Sequence, residues 1–318
     1  MRGDWDWNVK AFGAPTFNTK LGMCWKCSCK PGEWHTMTQE DRSTHSLGKA
    51  DWLANLAARE KPAMHLFNLP GVSNQTMFPD WMHVVDEGIA ASVAGQCFKE
   101  FEGHSTGASK EERLNQLWGF IKDLYQKNST DHDKRLWKLT PKDFVKSAKV
   151  PPELDAKAAQ VRGLCPLLHQ LALSILPGEG SIQPGEGTPH QRAVKKLAKH
   201  CSSMYSSLEK ADLAQLEKHG RLLKRQWMAL ETEAQALEDF VNFHSKPKWH
   251  LFDHLLDQVQ EGLHPKSYWR YQDETFGHVV QGLGQRRGGK KNPSQHAMKV
   301  LLAWMASEEF PSFFQASA

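Results

Sequence analysis

The chain has 318 residues, with 40 basic against 36 acidic side chains and a formal net charge of +4. That length can bury a sizeable core in one large domain or two modest ones, and so small a charge excess permits nucleic-acid binding without demanding it. No apolar run of about 18 residues occurs, and the start, Met1-Arg2-Gly3-Asp4-Trp5, lacks an apolar signal core, so the expectation is an intracellular protein with no helical membrane span and no secretory leader.

Six cysteines, three of them in Cys24-Trp25-Lys26-Cys27-Ser28-Cys29, do not form the pattern of a disulfide framework. Metal ligation or plain burial accounts for them better. Twelve tryptophans stand against four tyrosines, and Trp5, Trp7, Trp25 and Trp34 have polar neighbours in sequence. Core packing is the expected use of most of them.

The N-terminal part is rich in Gly, Pro, Trp and Lys and shows little periodicity, apart from a helical stretch from Asp51 to Arg59. Met64 to Val72 reads as a short buried strand closed by the turn signal Pro70-Gly71. From Trp81 the apolar residues Val84, Val85, Ile89, Val93 and Phe98 follow helical spacing with small residues between them. This predicts a well-buried helix capped by Asp80.

Amphipathic helical patterns then run over Glu111 to Lys127, Asp155 to Leu176, Gln191 to Leu208 and Ala211 to Phe243, punctuated by Pro151-Pro152 and by the Gly/Pro stretch Pro177 to Pro189. In the last of these, Leu213, Leu216, Leu223, Trp227, Leu230, Ala234, Leu237 and Val241 make a heptad-like seam interrupted at Gly220, which suits a bundle helix. Trp249 to Val259 is again helical. The helical middle reads as one insertion or subdomain.

Four separated clusters carry the chemistry. Cys24-x-x-Cys27 offers two thiolates on one turn, half of a tetrahedral zinc site. The other half could be local, from Cys29, His35 or His45, or distant. His250 and His254, four apart on one helical face, could supply it. A closed Cys2His2 set would then be structural zinc, stapling the start of the chain to a late helix. A zinc hydrolase using the histidine pair is disfavoured, because Leu251, Phe252 and Asp253 between them include no glutamate base.

Asp4 precedes Cys24 by as many residues as Glu274 follows His254, so two carboxylates bracket the two half-sites. Glu274 lies in Tyr271-Gln272-Asp273-Glu274, at an aromatic-rich helix entry. Such acids either complement the helix dipole or converge on Mg²⁺ for phosphoryl chemistry. Asp80-x-x-His83 is the fourth cluster. Downstream, Arg286, Arg287, Lys290 and Lys291 form the densest basic run, suited to phosphate contacts or to a solvated loop.

In this order, Gly3-Asp4, Cys24-x-x-Cys27, Asp80-x-x-His83, spaced histidines and an aromatic helix ending in Glu274, the chain resembles the catalytic core of CACTA (En/Spm)-type DDE transposases. It is more remotely similar to the recombinase of antigen-receptor gene rearrangement. Lys157-Ala158-Ala159-Gln160-Val161-Arg162 is similar to a short Lys/Ala and Arg element of the family's helical insertion. The resemblance implies an RNase H-like fold, Asp4 and Glu274 as catalytic acids, Asp80 and His83 as a signature helix, and Cys24, Cys27, His250 and His254 as zinc ligands.

It further implies Mg²⁺-dependent cleavage and joining of DNA, a nuclear location and DNA as the partner, leaving a homo-oligomer open and giving no role to a membrane or a small-molecule substrate. The family's first catalytic aspartate belongs on a strand ahead of Asp4, so the expectation is a C-terminal portion of such a core, catalytically incomplete. The expected fold is mainly α: a truncated RNase H-like core with few strands at 1–103, a large helical insertion at 104–245, and C-terminal helices at 246–318. The competing reading is a non-enzymatic helical interaction protein with a local zinc knuckle.

Overall fold

The structure, a computed structural model, describes residues 2–3, 8–9, 12–16, 23–30, 32–33, 37–61, 65–145, 147, 149–178, 181, 185–239, 241–269 and 271. Within these it is mainly helical, as expected. Two short strands, β1 (Arg2–Gly3) and β2 (Phe78–Pro79), pair in parallel, with Arg2 opposite Phe78 and Gly3 opposite Pro79.

Several helices start on local chemistry. At α1 (Gln39–Thr44) the Thr38 hydroxyl accepts from Asp41 N, while the Asp41 carboxylate accepts from Thr38 N. This reciprocal box satisfies two otherwise unpaired amides. Next comes α2 (Lys49–Ala58), where the Asp51 to Arg59 pattern is expected.

Residues His65–Asn68 form a 3-10 turn, which corrects the strand expected over Met64 to Val72. Phe67 is buried, meeting Phe12 edge-on at 6.0 Å, whereas His65, Asn68 and Leu69 are exposed and Gly71 turns the chain at φ +78°. No alternating face exists here for a strand to bury.

The buried helix expected from Trp81 is present, but its first nine residues, Met82–Ala90, are wound as a π-helix. It continues into α3 (Ala91–His104). Trp81, Val85, Ile89, Val93, Cys97 and Phe101 are all buried, and so are Asp86 and Gln96 on other faces, so most of the rod's circumference is covered, with Glu87 left exposed. A π-turn of this length is rare and loses backbone geometry, and it survives only under dense packing. Here the helix at Ala158–Leu164, the helix at Lys248–Gln260 and the following α3 supply that packing.

The helix α4 (Lys110–Lys127) opens on a second reciprocal box, Ser109 with Glu112. The single helix expected over Asp155 to Leu176 is divided into α5 (Ala158–Leu164), a 3-10 turn (Cys165–Leu167) and α6 (Leu168–Ile175). Pro166 lacks an amide hydrogen and its ring clashes with the preceding turn, which breaks the α-ladder there. A third box, Thr188 with Gln191 and with Pro189 at the first helical position, starts α7 (Pro189–Glu209).

The long helix α8 (Leu213–Ala236) ends seven residues before the expected Phe243, at a turn where Glu238 has φ +60°. Its buried seam is Leu216, Gly220, Leu223, Trp227, Leu230 and Ala234, while Leu237 is 74% exposed. Gly220 does not interrupt this seam. A Cβ there would lie 2.5 Å from Leu256 Cδ2, so the glycine lets α9 (Lys248–Gln260) approach closely. An aromatic chain, Trp227 to Trp249 at 5.2 Å, Trp249 to Phe252 at 5.8 Å and Phe252 to Trp81 at 6.3 Å, joins α8 and α9 to the head of the π-helix.

The chain divides into two compact units, Met1–Tyr268 and Trp269–Ala318. That boundary falls inside the segment expected to run over 246–318. In the second unit, Trp269 and Tyr271 meet edge-on at 5.3 Å. All six cysteines are free and buried, in keeping with the absence of a disulfide pattern. Trp25, Trp52, Trp81, Trp227 and Trp249 are fully buried, the core use expected of tryptophan; Trp5, Trp7 and Trp34 lie outside the described residues. Among the described residues no helix is long and apolar enough to cross a membrane.

Candidate metal centre

The two cysteines sit on a loop whose Met23, Cys24, Trp25, Cys27 and Cys29 are all buried, and hydrogen bonds tie it to its neighbours. Met23 N donates to Cys29 O at 2.9 Å and closes the loop on itself. Leu47 N donates to Lys26 O at 2.9 Å, and Ser28 N to His45 O at 3.0 Å. Asn74 Nδ2 donates to Trp25 O at 2.8 Å and to Leu47 O at 2.9 Å, and Trp25 Nε1 donates to Met77 O at 3.0 Å. The segment that leads into β2 and Asp80 therefore also frames the knuckle.

Lys26 N lies 3.3 Å from Cys24 Sγ. This amide points its hydrogen at the sulfur and favours the thiolate.

The histidines come from α9, whose residues Trp249 to Leu256 are all buried. Spaced four apart, His250 and His254 project from one face, with ring centroids 4.8 Å apart. Cys27 Sγ lies 3.2 Å from His250 Nε2, and Cys24 Sγ lies 3.4 Å from His254 Nε2. The four ligand atoms all lie within 4.8 Å of one another and all four residues are buried.

A tetrahedral zinc ion, with Zn–S of about 2.3 Å and Zn–N of about 2.0 Å, places neighbouring ligand atoms roughly 3.3–3.8 Å apart. The two sulfur–nitrogen contacts, at 3.2 and 3.4 Å, are close to that geometry, and the remaining spacings reach up to 4.8 Å. The sulfur–nitrogen donor set suits Zn²⁺, and a closed Cys2His2 set retains no open position for catalysis.

The electrostatics of the four groups point the same way. Burial pushes the Cys24 thiol up, but the Cys27 hydrogen bond and the two imidazoles outweigh it and hold Cys24 well below the ordinary thiol value. Cys27 is driven up by its hydrogen bond to Cys24 and by burial. Against the pull of burial, Cys24 and Cys29 raise His250 to about 10, whereas burial lowers His254. The four groups thus compete for protons in a dry site. A divalent cation replaces these protons and leaves two thiolates and two neutral imidazoles, a neutral set.

Next to the histidines on α9 lies a buried ionic network. Arg42 on α1 donates to both carboxylate oxygens of Asp257, at 2.8 and 2.9 Å, and stands 3.3 Å from Asp253. Arg221 on α8 reaches Asp257 at 2.7 Å, and Lys224 pairs with Asp253. These bonds hold α1 and the long helix α8 against α9. Asp257 Oδ2 also lies 3.9 Å from His254 Nδ1. Sequence reasoning missed the network; Asp253 and Asp257, four apart like the two histidines, were its one visible signal.

His250 Nδ1 has no hydrogen-bond partner among the described residues. Packing therefore orients this imidazole, in place of the carboxylate that often does so.

Of the local ligand candidates, Cys29 is buried beside the centre, with its thiol 3.6 Å from Lys30 O. His45 is exposed, with Nδ1 2.9 Å from Asp41 O; His35 lies outside the described residues. Asp80 and His83 are brought together: the Asp80 carboxylate accepts from His83 N at 3.1 Å and lies 2.5 Å from His83 Nδ1. Neither residue belongs to the metal cluster. Asp4, Glu274, Arg286, Arg287, Lys290 and Lys291 lie outside the described residues. No protein-family model, no curated protein and no solved structure matches this chain.

Proposed function

We propose that this chain is a transposase-derived, DNA-binding core of DDE type, RNase H-like in ancestry and stapled by structural zinc. The observation that carries this reading is the union of Cys24 and Cys27 with His250 and His254 in one buried cluster. The resemblance requires that long-range pairing, and a purely local knuckle does not.

A second feature supports it. β1 ends at Gly3, immediately ahead of Asp4 in sequence, and pairs with β2, which leads directly into Asp80. The resemblance puts the second catalytic acid in a Gly-Asp dipeptide, here Gly3-Asp4, and the signature helix at Asp80-x-x-His83. Asp4 and Glu274 are the proposed Mg²⁺-binding acids of this reading, and the basic run Arg286, Arg287, Lys290 and Lys291 its proposed phosphate contacts. A nuclear location follows from the same reading.

Elemental analysis of the purified protein tests it, for wild type and for the His250→Ala/His254→Ala double variant, together with a mobility-shift assay on duplex DNA. The reading expects one zinc per chain, lost in the variant, and salt-sensitive DNA binding. Zinc that survives the variant, or wild-type protein that binds no DNA, overturns it.

A further inference from the structure

Away from the metal centre, α4 and the loop that follows it enclose an open cleft of about 520 Å³. Trp118, Lys122 and Tyr125 recur at helical spacing on α4 and form one wall, and His132, Arg135 and Trp137 form the other. Among the described residues no carboxylate lines it. Trp137 is 79% exposed, an indole left in water at the mouth of a cleft that carries cations.

The loop presenting Trp137 is firmly held. Leu136 N donates to the Tyr125 hydroxyl at 3.1 Å, Arg135 Nε donates to Thr130 O at 2.7 Å, and Gln160 Nε2 donates to Arg135 O at 3.0 Å. On its far side α5 comes so close that a Cβ on Gly163 would lie 2.2 Å from Lys134 O. Gln160 belongs to the Lys157–Arg162 element, which thereby buttresses the loop that carries Arg135 and Trp137.

A solvent-facing indole on a firmly held loop, a second indole across the cleft, and two cations on a lining without a carboxylate suit a ligand that is planar, apolar on its faces and anionic along its edge. Bases in a duplex have their faces covered by neighbours, whereas unpaired bases offer them to aromatic side chains. We propose that this cleft takes unpaired nucleotides of single-stranded DNA, with Trp118 and Trp137 stacking on bases and Lys122 and Arg135 meeting phosphates. The inference rests on the DNA-binding reading above and specifies where, and in what form, DNA is held.

Fluorescence anisotropy of the full zinc-loaded chain tests it, using a labelled single strand of about 12 nucleotides and the duplex of the same sequence. Trp137→Ala and Lys122→Glu alter exposed side chains, and Trp137→Phe restores a stacking face. The expected result is a loss of single-strand affinity of about ten-fold or more in Trp137→Ala, largely recovered in Trp137→Phe, with a weaker loss in Lys122→Glu and duplex affinity within about two-fold of wild type.

Single-strand affinity unmoved by Trp137→Ala overturns the cleft assignment, and with duplex binding retained it leaves the proposed function standing. Equal losses for single strand and duplex overturn the preference for unpaired nucleotides. Wild-type protein that binds neither form overturns both readings.

Discussion

Cys27 Sγ lies 3.2 Å from His250 Nε2, a contact between residues 223 apart in the chain. A contact of that span closes a very large loop, and a cation held there couples the knuckle directly to the helix that packs against α8 and the π-helix. Ligand exchange at this point should therefore be a global event. At a free metal level a thousandfold above its dissociation constant, binding contributes about 4 kcal/mol, or roughly 10 °C of melting temperature for a domain of this class. Chelation or Cys27→Ser is expected to lower the melting temperature by about that much in calorimetry, with readdition of zinc restoring it in the first case only.

Arg42 gives a second prediction. Its guanidinium is 4% exposed as a residue and grips Asp257 through two hydrogen bonds, so Arg42→Ala leaves Asp253 and Asp257 with fewer cations in a buried place. The expected loss is about 3 kcal/mol in urea unfolding. Although burial raises it, the Asp257 carboxyl is held below its ordinary range by Arg42 and Arg221. Its contribution is therefore present above the unfolded value of about 4 and is lost as pH falls through the lower folded value. In Arg42→Ala this acid-side loss should shrink.

The paired imidazoles of α7 and α8 predict a different pH dependence. His200 Nδ1 lies 3.4 Å from His219 Nδ1. Burial first, then His219 and the nearby Lys199, Arg225 and Lys196, push His200 down to about 4. The unfolded chain takes up this proton near pH 6.5, ahead of the folded one. Stability should thus be full above about pH 6.5 and decline as pH falls towards about 4. Melting curves across this range are expected to flatten in His200→Gln, and an imidazole resonance titrating near 6.5 in the folded protein would contradict the assignment.

Asp80 lies outside the group of four metal-ligand residues. Its buried carboxylate caps the π-helix through His83 N and engages the His83 ring. Asp80→Ala is expected to cost about 2 kcal/mol through the lost cap and the amide left without its acceptor, while zinc content stays at the wild-type level. A variant that loses its metal instead would place Asp80 in the metal-binding unit.

The parts of this protein legible in sequence alone are those governed by interactions within a few residues. Thr38, Ser109 and Thr188 each start a helix through a box with the residue three positions on, and the amphipathic faces of α4, α7 and α8 follow from their own spacing. The donor chemistry of Cys24, Cys27, His250 and His254 was equally legible, because thiolates at a tight turn and imidazoles one helical turn apart are local patterns. Folding in three dimensions settled which half-sites joined, since each was incomplete and the knuckle had other partners within reach in Cys29 and His45. It also settled that Met82–Ala90 winds as a π-helix, a choice that follows from the elements packed against the rod and that small residues permit but do not specify. Gly220 is the same lesson in one residue: it reads as a break in a seam by itself, and as the closest approach of two helices once Leu256 lies against it.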